Sequence, residues 1–186
     1  MRKILDSLAP QIEKHPTTEV VIVDDGSTED LAWASRYPFA KLWMQANGGE
    51  PSARNVLLYL AEGEYIQFID ADDEIYSNAL DVVYDNIEQG YDFVSYEFDT
   101  DHDQKRSYHN YDQLMINCAM WGYTFKKEIF KGNGFNETML TGCDVDILQR
   151  VLREDMKHKH DKRVFYNYRW DGNYNSLCHQ KLRGEI

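Results

Sequence analysis

Carboxylates crowd at two places in this chain where an apolar segment ends. "YIQFIDADDEIYS" (65–77) runs five strand-like residues into Asp70, Asp72 and Asp73. "VVIVDDGS" (20–27) ends in the same way, on Asp24 and Asp25. Like charges gathered at one point repel unless a cation neutralises them, and hard cations favour carboxylate oxygen. The chemistry in view is capture of a divalent cation, and through it a small phosphate-bearing ligand. Asp-x-Asp alone is a weak signal, because it recurs at 70/72, 99/101, 101/103 and 144/146. Loop acids also close turns and cap helices. Position sets 70/72 apart, at the mouth of an apolar strand. A calcium EF-hand loop is excluded, since Ile75 stands where that loop requires Gly.

The elements that must position these acids follow from periodicity. Residues 2–14 read as a helix with Ile4, Leu5, Leu8 and Ile12 on one face. "EVVIVDDGS" is a buried strand, and Ser27 or Thr28 then caps a short helix to about Tyr37. Residues 41–44 form a second strand candidate. "ANGGEPSARN" (46–55) is a Gly-rich loop, from which Pro51 opens a helix over 51–61. A strand at 64–70 follows. Next comes a helix capped by Ser77, with Ala79, Leu80, Val83, Tyr84 and Ile87 inward, and then a strand at 91–98. Alternation with short connections predicts an α/β fold with a mostly parallel sheet. Ligands on such sheets sit outside the carboxyl ends of the strands, where both acidic clusters fall. Beyond residue 98 the pattern loosens. A polar loop covers 99–110, "MWGYTFKKEIF" reads as a strand running into a short helix, 141–155 as an amphipathic helix, and 163–170 as a late strand.

Composition narrows the function. A length of 186 residues predicts a single domain, 1–186, with 42% hydrophobic and 28% charged residues, ordinary for a globular protein. A net charge of −12 argues against nucleic acid as a partner, because a phosphate backbone needs a basic face. Cys118, Cys143 and Cys178 are too widely spaced for a zinc site or a disulfide framework, which predicts a cytoplasmic protein. Neither a signal peptide nor a membrane span is legible.

Taken together, "VVIVDDGSTED" and "ANGGEPSARNVLLYLAEGEYIQFIDADDEIY" resemble the family 2 glycosyltransferases, enzymes of the GT-A fold. The likeness extends more loosely through "MWGYTFKKEIFKGNGFNE", the "CD" at 143–144 and "YNYRWDGNYNSLCH". It implies a nucleotide-sugar half over about 1–98 and an acceptor half over about 99–186. It also implies a metal-dependent inverting transfer from a nucleotide-sugar donor, a UDP-sugar, to a saccharide or lipid-linked acceptor. Asp25 would hydrogen-bond the nucleobase, Arg54 would place a cation near the nucleotide, and Asp70 would touch the ribose. Asp72 would hold Mn²⁺ or Mg²⁺ on the diphosphate, and Asp144 would be the general base. A lipid-linked acceptor further implies peripheral association with the inner face of a membrane.

Each residue also has a structural use. Asp25 can close a turn with Gly26 and Ser27, Arg54 can make a surface ion pair, and Asp144 can complement a helix N-terminus. Asn47 and Asn55 can brace the Gly-rich loop. "HKH" (158–160) reads as an exposed polar turn rather than a metal cluster. His179 is a candidate late contact to metal or phosphate, and Trp121 and Trp170 can stack on an acceptor sugar or pack in the core. Two departures from the family stand out. Cys143 replaces the acid that usually precedes the base, and the family's first strand has no counterpart in the sequence. That strand would lie between 19–24 and 64–69. The simplest remedy is direct pairing of those two strands; the alternatives are another segment of this chain filling the slot and a strand donated by a second copy in a homodimer. Closure would narrow the nucleobase pocket and leave a catalytically weak nucleotide-sugar-binding remnant.

Overall fold

In order, the elements are α1 (Arg2–Lys14), β1 (Val20–Asp25), a 3₁₀ turn at Ala32–Arg36, β2 (Ala40–Gln45), α2 (Glu50–Leu60), β3 (Tyr65–Gln67), β4 (Glu74–Ile75), α3 (Ala79–Ile87) and β5 (Phe93–Thr100). There follow a 3₁₀ turn at Met120–Gly122, β6 (Tyr123–Lys126), another at Lys127–Phe130, α4 (Cys143–Val151) and β7 (His158–Tyr168). This computed structural model describes residues 1–100 and 119–169. Strands β1 and β2 form a parallel pair, and the main sheet runs β3-β6-β5-β7-β4. The parallel arrangement expected from the alternation holds for β1–β2 and β5–β7. The β3–β6, β5–β6 and β4–β7 pairs are antiparallel, so the sheet is mixed. The antiparallel partners are distant in sequence, β3 from β6 and β4 from β7, so local alternation does not register them.

Successive side chains on a strand point to opposite faces. On β5, Val94, Tyr96 and Phe98 therefore join the cluster of Ile4, Leu5 and Leu8 from α1 and Val82 and Val83 from α3. Phe93 joins the opposite cluster, with Phe125, Phe130, Phe135 and, from α4, Ile147, Leu148 and Val151. The sheet is thus covered by α1 and α3 on one face and by α4 on the other.

Several expectations shift in detail. The helix expected over 141–155 is the shorter α4, whose inward face carries Cys143, Ile147, Leu148 and Val151. Helix α3 buries Val82 and Asn86, whereas Leu80, Tyr84 and Ile87 are only partly buried. Asn86 can be inward because it is satisfied there, donating to the Val82 carbonyl and, at 2.8 Å, to Asp161. "HKH" is not a turn. It begins β7, in register with Phe93–Ser95, and His158 stacks on Phe93 at 5.0 Å. Trp121 is core, 6% exposed and stacked on Tyr166 at 4.6 Å. His179 and Trp170 lie outside the described residues, as does most of the 99–110 loop.

Direct pairing of 19–24 with 64–69 does not form. Among the described residues β1 bonds only β2, through all six of its positions, and β3 bonds only β6. A side chain joins the two strands instead. The Glu19 carboxylate accepts the Glu62 and Gly63 N–H groups at 2.5 and 2.8 Å, satisfying the approach to β3 without a ladder.

Asp161 anchors the long β5–β7 pairing. Burial opposes its ionisation, but hydrogen bonds from Arg163 and Asn86 outweigh this and hold its pKa well below the usual carboxylate range. A depressed folded pKa gives stability that is full above the unfolded value near ~4 and is lost as pH falls through the folded one. Asp161→Asn should therefore lower the unfolding free energy by about 1–3 kcal/mol at pH 7 and flatten the acid limb of the stability profile. Urea titrations at pH 3 and pH 7 check both parts, and an unchanged pH 7 midpoint would contradict them.

Candidate active site

The first turn of α2 organises the site. Gly49 precedes it at φ 86, a conformation open to Gly, and Pro51 follows at the start of the helix. Asp25, the last residue of β1, holds this entry in place. One carboxylate oxygen accepts Gly48 N–H and the Gln45 side-chain amide, both at 2.8 Å, and the other accepts Gly49 N–H at 2.8 Å. The two loops meet closely at Gly26, where a Cβ would stand 2.9 Å from the Asn47 backbone nitrogen. Asn55 braces the far side of the helix, exchanging hydrogen bonds with the Phe135 backbone at 2.7 and 3.0 Å.

Arg54 then projects into a nest of acids. It is buried, and its guanidinium meets Glu50 at 2.7 Å and Asp70 at 3.1 Å and is in direct contact with Asp144. Burial alone would weaken the Arg54 charge, but the three carboxylates more than offset it and push its pKa up. Asp144 opens α4 and also accepts Met120 N–H at 3.1 Å and the neighbouring Cys143 thiol at 3.6 Å. Burial raises the pKa of Asp144 and of Asp70, with Arg54 pulling each the other way. Burial also raises that of Glu50, to which Asp144 and Asp72 add their repulsion. Cys143 is buried and its thiol is pushed up to about 12, chiefly by that burial, so it is no thiolate nucleophile at neutral pH.

Asp72 and Asp73 diverge. Asp73 turns inward, where it accepts the Tyr166 hydroxyl at 2.5 Å and Arg169 N–H at 2.8 Å. Asp72 is exposed on the turn beside Asp70. A hard divalent ion held by one or two carboxylates, with phosphate oxygens and water completing its sphere, suits this oxygen-only pair. Glu50, Cys143 and Asp144 also have ligand atoms within 4.8 Å of one another, but the Arg54 cation already bonds two of the three.

The structure thus brings Arg54, Asp70 and Asp144 together, sets Asp72 beside Asp70, and ties Asp25, at the end of β1, to the loop leading into the same helix. The sequence reading missed Glu50 and Tyr166. Glu50 had a legible signal, since Glu four residues before Arg on a helix is a favoured ion-pair spacing. Tyr166 had none, because only the β4–β7 pairing brings it to Asp73.

Helices on both faces of a mixed sheet, with acids and a helix N-terminus gathered at one end, define a GT-A-like fold. Solved structures agree. S. aureus TarS 1-349 in complex with UDP superposes with a TM-score of 0.78 over 90% of this chain and 56% of that one, at 22% identity. The profile of "Glycosyl transferase family 2" matches residues 1–154, and the chain belongs to that family. Among curated relatives, an uncharacterised glycosyltransferase of Escherichia coli, YibD, is 43% identical over 63 residues, 31% of this chain and 18% of that one. The minor teichoic acid biosynthesis protein GgaB of Bacillus subtilis is 26% identical over 200 aligned positions, 91% of this chain. The chain spans only 21% of GgaB, so it corresponds to a fraction of these longer proteins. Among the described residues, no helix is long and apolar enough to cross a membrane.

Arg54→Met removes the shared cation while keeping bulk. Each neighbouring carboxyl already has a raised folded pKa, so its cost to stability grows as pH climbs from the unfolded value of about 4. Without Arg54 all three rise further. The variant should be about 3–5 kcal/mol less stable at pH 7, the usual loss when a buried pair is broken, and approach the parent near pH 4. Urea denaturation at the two pH values checks this. An equal loss at both would show that packing, not charge, is what Arg54 supplies.

Proposed function

We propose that this chain is the catalytic domain of an inverting glycosyltransferase that moves a sugar from a nucleotide-diphosphate donor, a UDP-sugar, to a saccharide or lipid-linked acceptor. The observation that carries the reading is the convergence of Asp70, Arg54 and Asp144 beside Asp72, built from three separate parts of the chain. Family membership supports sugar transfer, and the likeness to a protein solved with UDP and with UDP-GlcNAc supports the donor class.

In this reading the Asp25-held loop borders the nucleobase and Asp70 the ribose. Asp72 would hold Mn²⁺ or Mg²⁺, which when bound supplies positive charge to the leaving diphosphate. The α2 N-terminus adds positive potential on the same side, and Arg54 offsets part of the negative charge of Asp70 and Asp144 there. The acceptor hydroxyl oxygen forms the new bond to the anomeric carbon as the bond from that carbon to the diphosphate oxygen breaks. Its electron pair leaves with the nucleoside diphosphate, and the hydroxyl proton passes to Asp144. A raised pKa suits that role, because a more basic carboxylate is a better proton acceptor. Attack opposite the leaving group inverts the anomeric centre.

A second reading is donor binding without turnover. It is favoured by β1 bonding a strand on one side only among the described residues, so that Asp25 has β2 beside it and no strand opposite. One experiment separates the two. Asp144→Asn should cut transfer by roughly 10²-fold or more, the scale of general base catalysis, while calorimetric donor affinity stays nearly unchanged. Donor binding with no transfer by the parent protein would favour the second reading. Equal turnover by the parent and Asp144→Asn would remove Asp144 as the base.

A further inference from the structure

Glu50 is the one acid around Arg54 to which the functional reading gives no task. It is the first residue of α2, its carboxylate lies 2.7 Å from the Arg54 guanidinium, and its ligand atom is within 4.8 Å of those of Asp144 and Cys143. With 45% of its side chain exposed it stands at the rim of the nest, not in the packed interior. Nothing in the fold requires an acid there. Asp25 and Pro51 already secure the helix start, and the helix dipole needs no second anchor beside a buried cation.

Resting on the transferase reading above, we propose that Glu50 is a positioning residue for the transfer: it holds the Arg54 guanidinium across Asp70 and Asp144 and sets a second negative charge beside Asp144, keeping that carboxylate a competent base. The argument is one of charge division. A carboxylate alone with an arginine is a poor base, because protonation forfeits the ion pair. Here one cation serves three carboxylates, and its hold on Asp144 is diluted. The groups that face Asp144 are Arg54 and Glu50 from α2, Asp70 from the segment after β3, Cys143 from α4 itself and the Met120 N–H before β6. Asp72 adds a weaker repulsion on Glu50. Of these, Glu50 is the acid most readily neutralised without disturbing Asp70 or Asp144.

Removing the Glu50 charge acts on Asp144 twice in the same direction. It takes away a repelling neighbour and leaves Arg54 with fewer competitors. Both make Asp144 less basic. A merely structural Glu50 would change melting temperature but not the midpoint at which Asp144 titrates.

The test follows the Asp144 carboxyl carbon by NMR titration in the whole protein, alongside the pH dependence of kcat. Glu50→Gln should lower the Asp144 midpoint by on the order of one pH unit, the scale for a neighbouring charge. The acid limb of kcat should move down with it, and kcat at neutral pH should fall several-fold at constant donor KM. Glu50→Asp keeps the charge and should restore both. Glu50→Ala is a second charge-removing variant, should Gln perturb the helix start. An Asp144 midpoint unmoved in both charge-removing variants overturns the proposal, whatever their activity. A parent protein that transfers no sugar would fail the transferase reading instead, and the titration would still decide whether Glu50 governs Asp144.

Discussion

The arrangement of this protein turns on one buried guanidinium. Arg54 is the shared counter-ion of Glu50, Asp70 and Asp144, which arrive from α2, from the segment after β3 and from the start of α4. A buried cation without partners is costly, and so is a buried carboxylate. Together they tie α2, the segment after β3 and the start of α4 to one point. Because three acids share one cation, the nest keeps an excess of negative charge. That excess suits a site which takes up a divalent ion with its ligand, and burial, with repulsion between the acids added to it, raises the pKa of each acid there.

Everything around Arg54 serves to hold it. Asp25 ties the Gly-rich loop to the end of β1 and so fixes where α2 begins. Asn55, one residue on, fastens the same helix to the Phe135 backbone. Phe68 and Phe135 lie with their ring centroids 6.0 and 5.6 Å from the Arg54 guanidinium carbon, walling it from solvent with faces that favour a cation. Tyr166, brought in by the β4–β7 pairing, draws Asp73 away from the mouth and leaves Asp70 and Asp72 to face the ligand side.

Much of this was legible in the sequence because the relevant signals are local. Strand ends rich in Asp, a Gly-rich loop before Pro51, and an acid at a helix start each announce themselves over a few residues. The face of α3 was misread because Asn86 is buried against Asp161, a polar pair that hydrophobic periodicity cannot register. "HKH" was read as a turn because its partner, β5, is more than sixty residues away. The fate of β1 and β3 depends on the Glu19 carboxylate reaching amides over forty residues distant, which no local pattern encodes. Glu50 was overlooked for another reason. Its helical spacing to Arg54 was visible, but its reach to Asp144 exists only once α2 and α4 are packed.

The central claim is that a nucleoside diphosphate and a divalent ion bind at the mouth of this nest. Paramagnetic broadening of backbone amides by Mn²⁺, recorded with and without UDP, tests it most directly. The account predicts that with UDP present broadening centres on Ala71–Asp73, reaches Gly48, Gly49 and Met120, and is lost in Asp72→Asn. Broadening centred away from Ala71–Asp73, or the same pattern in Asp72→Asn, would contradict it.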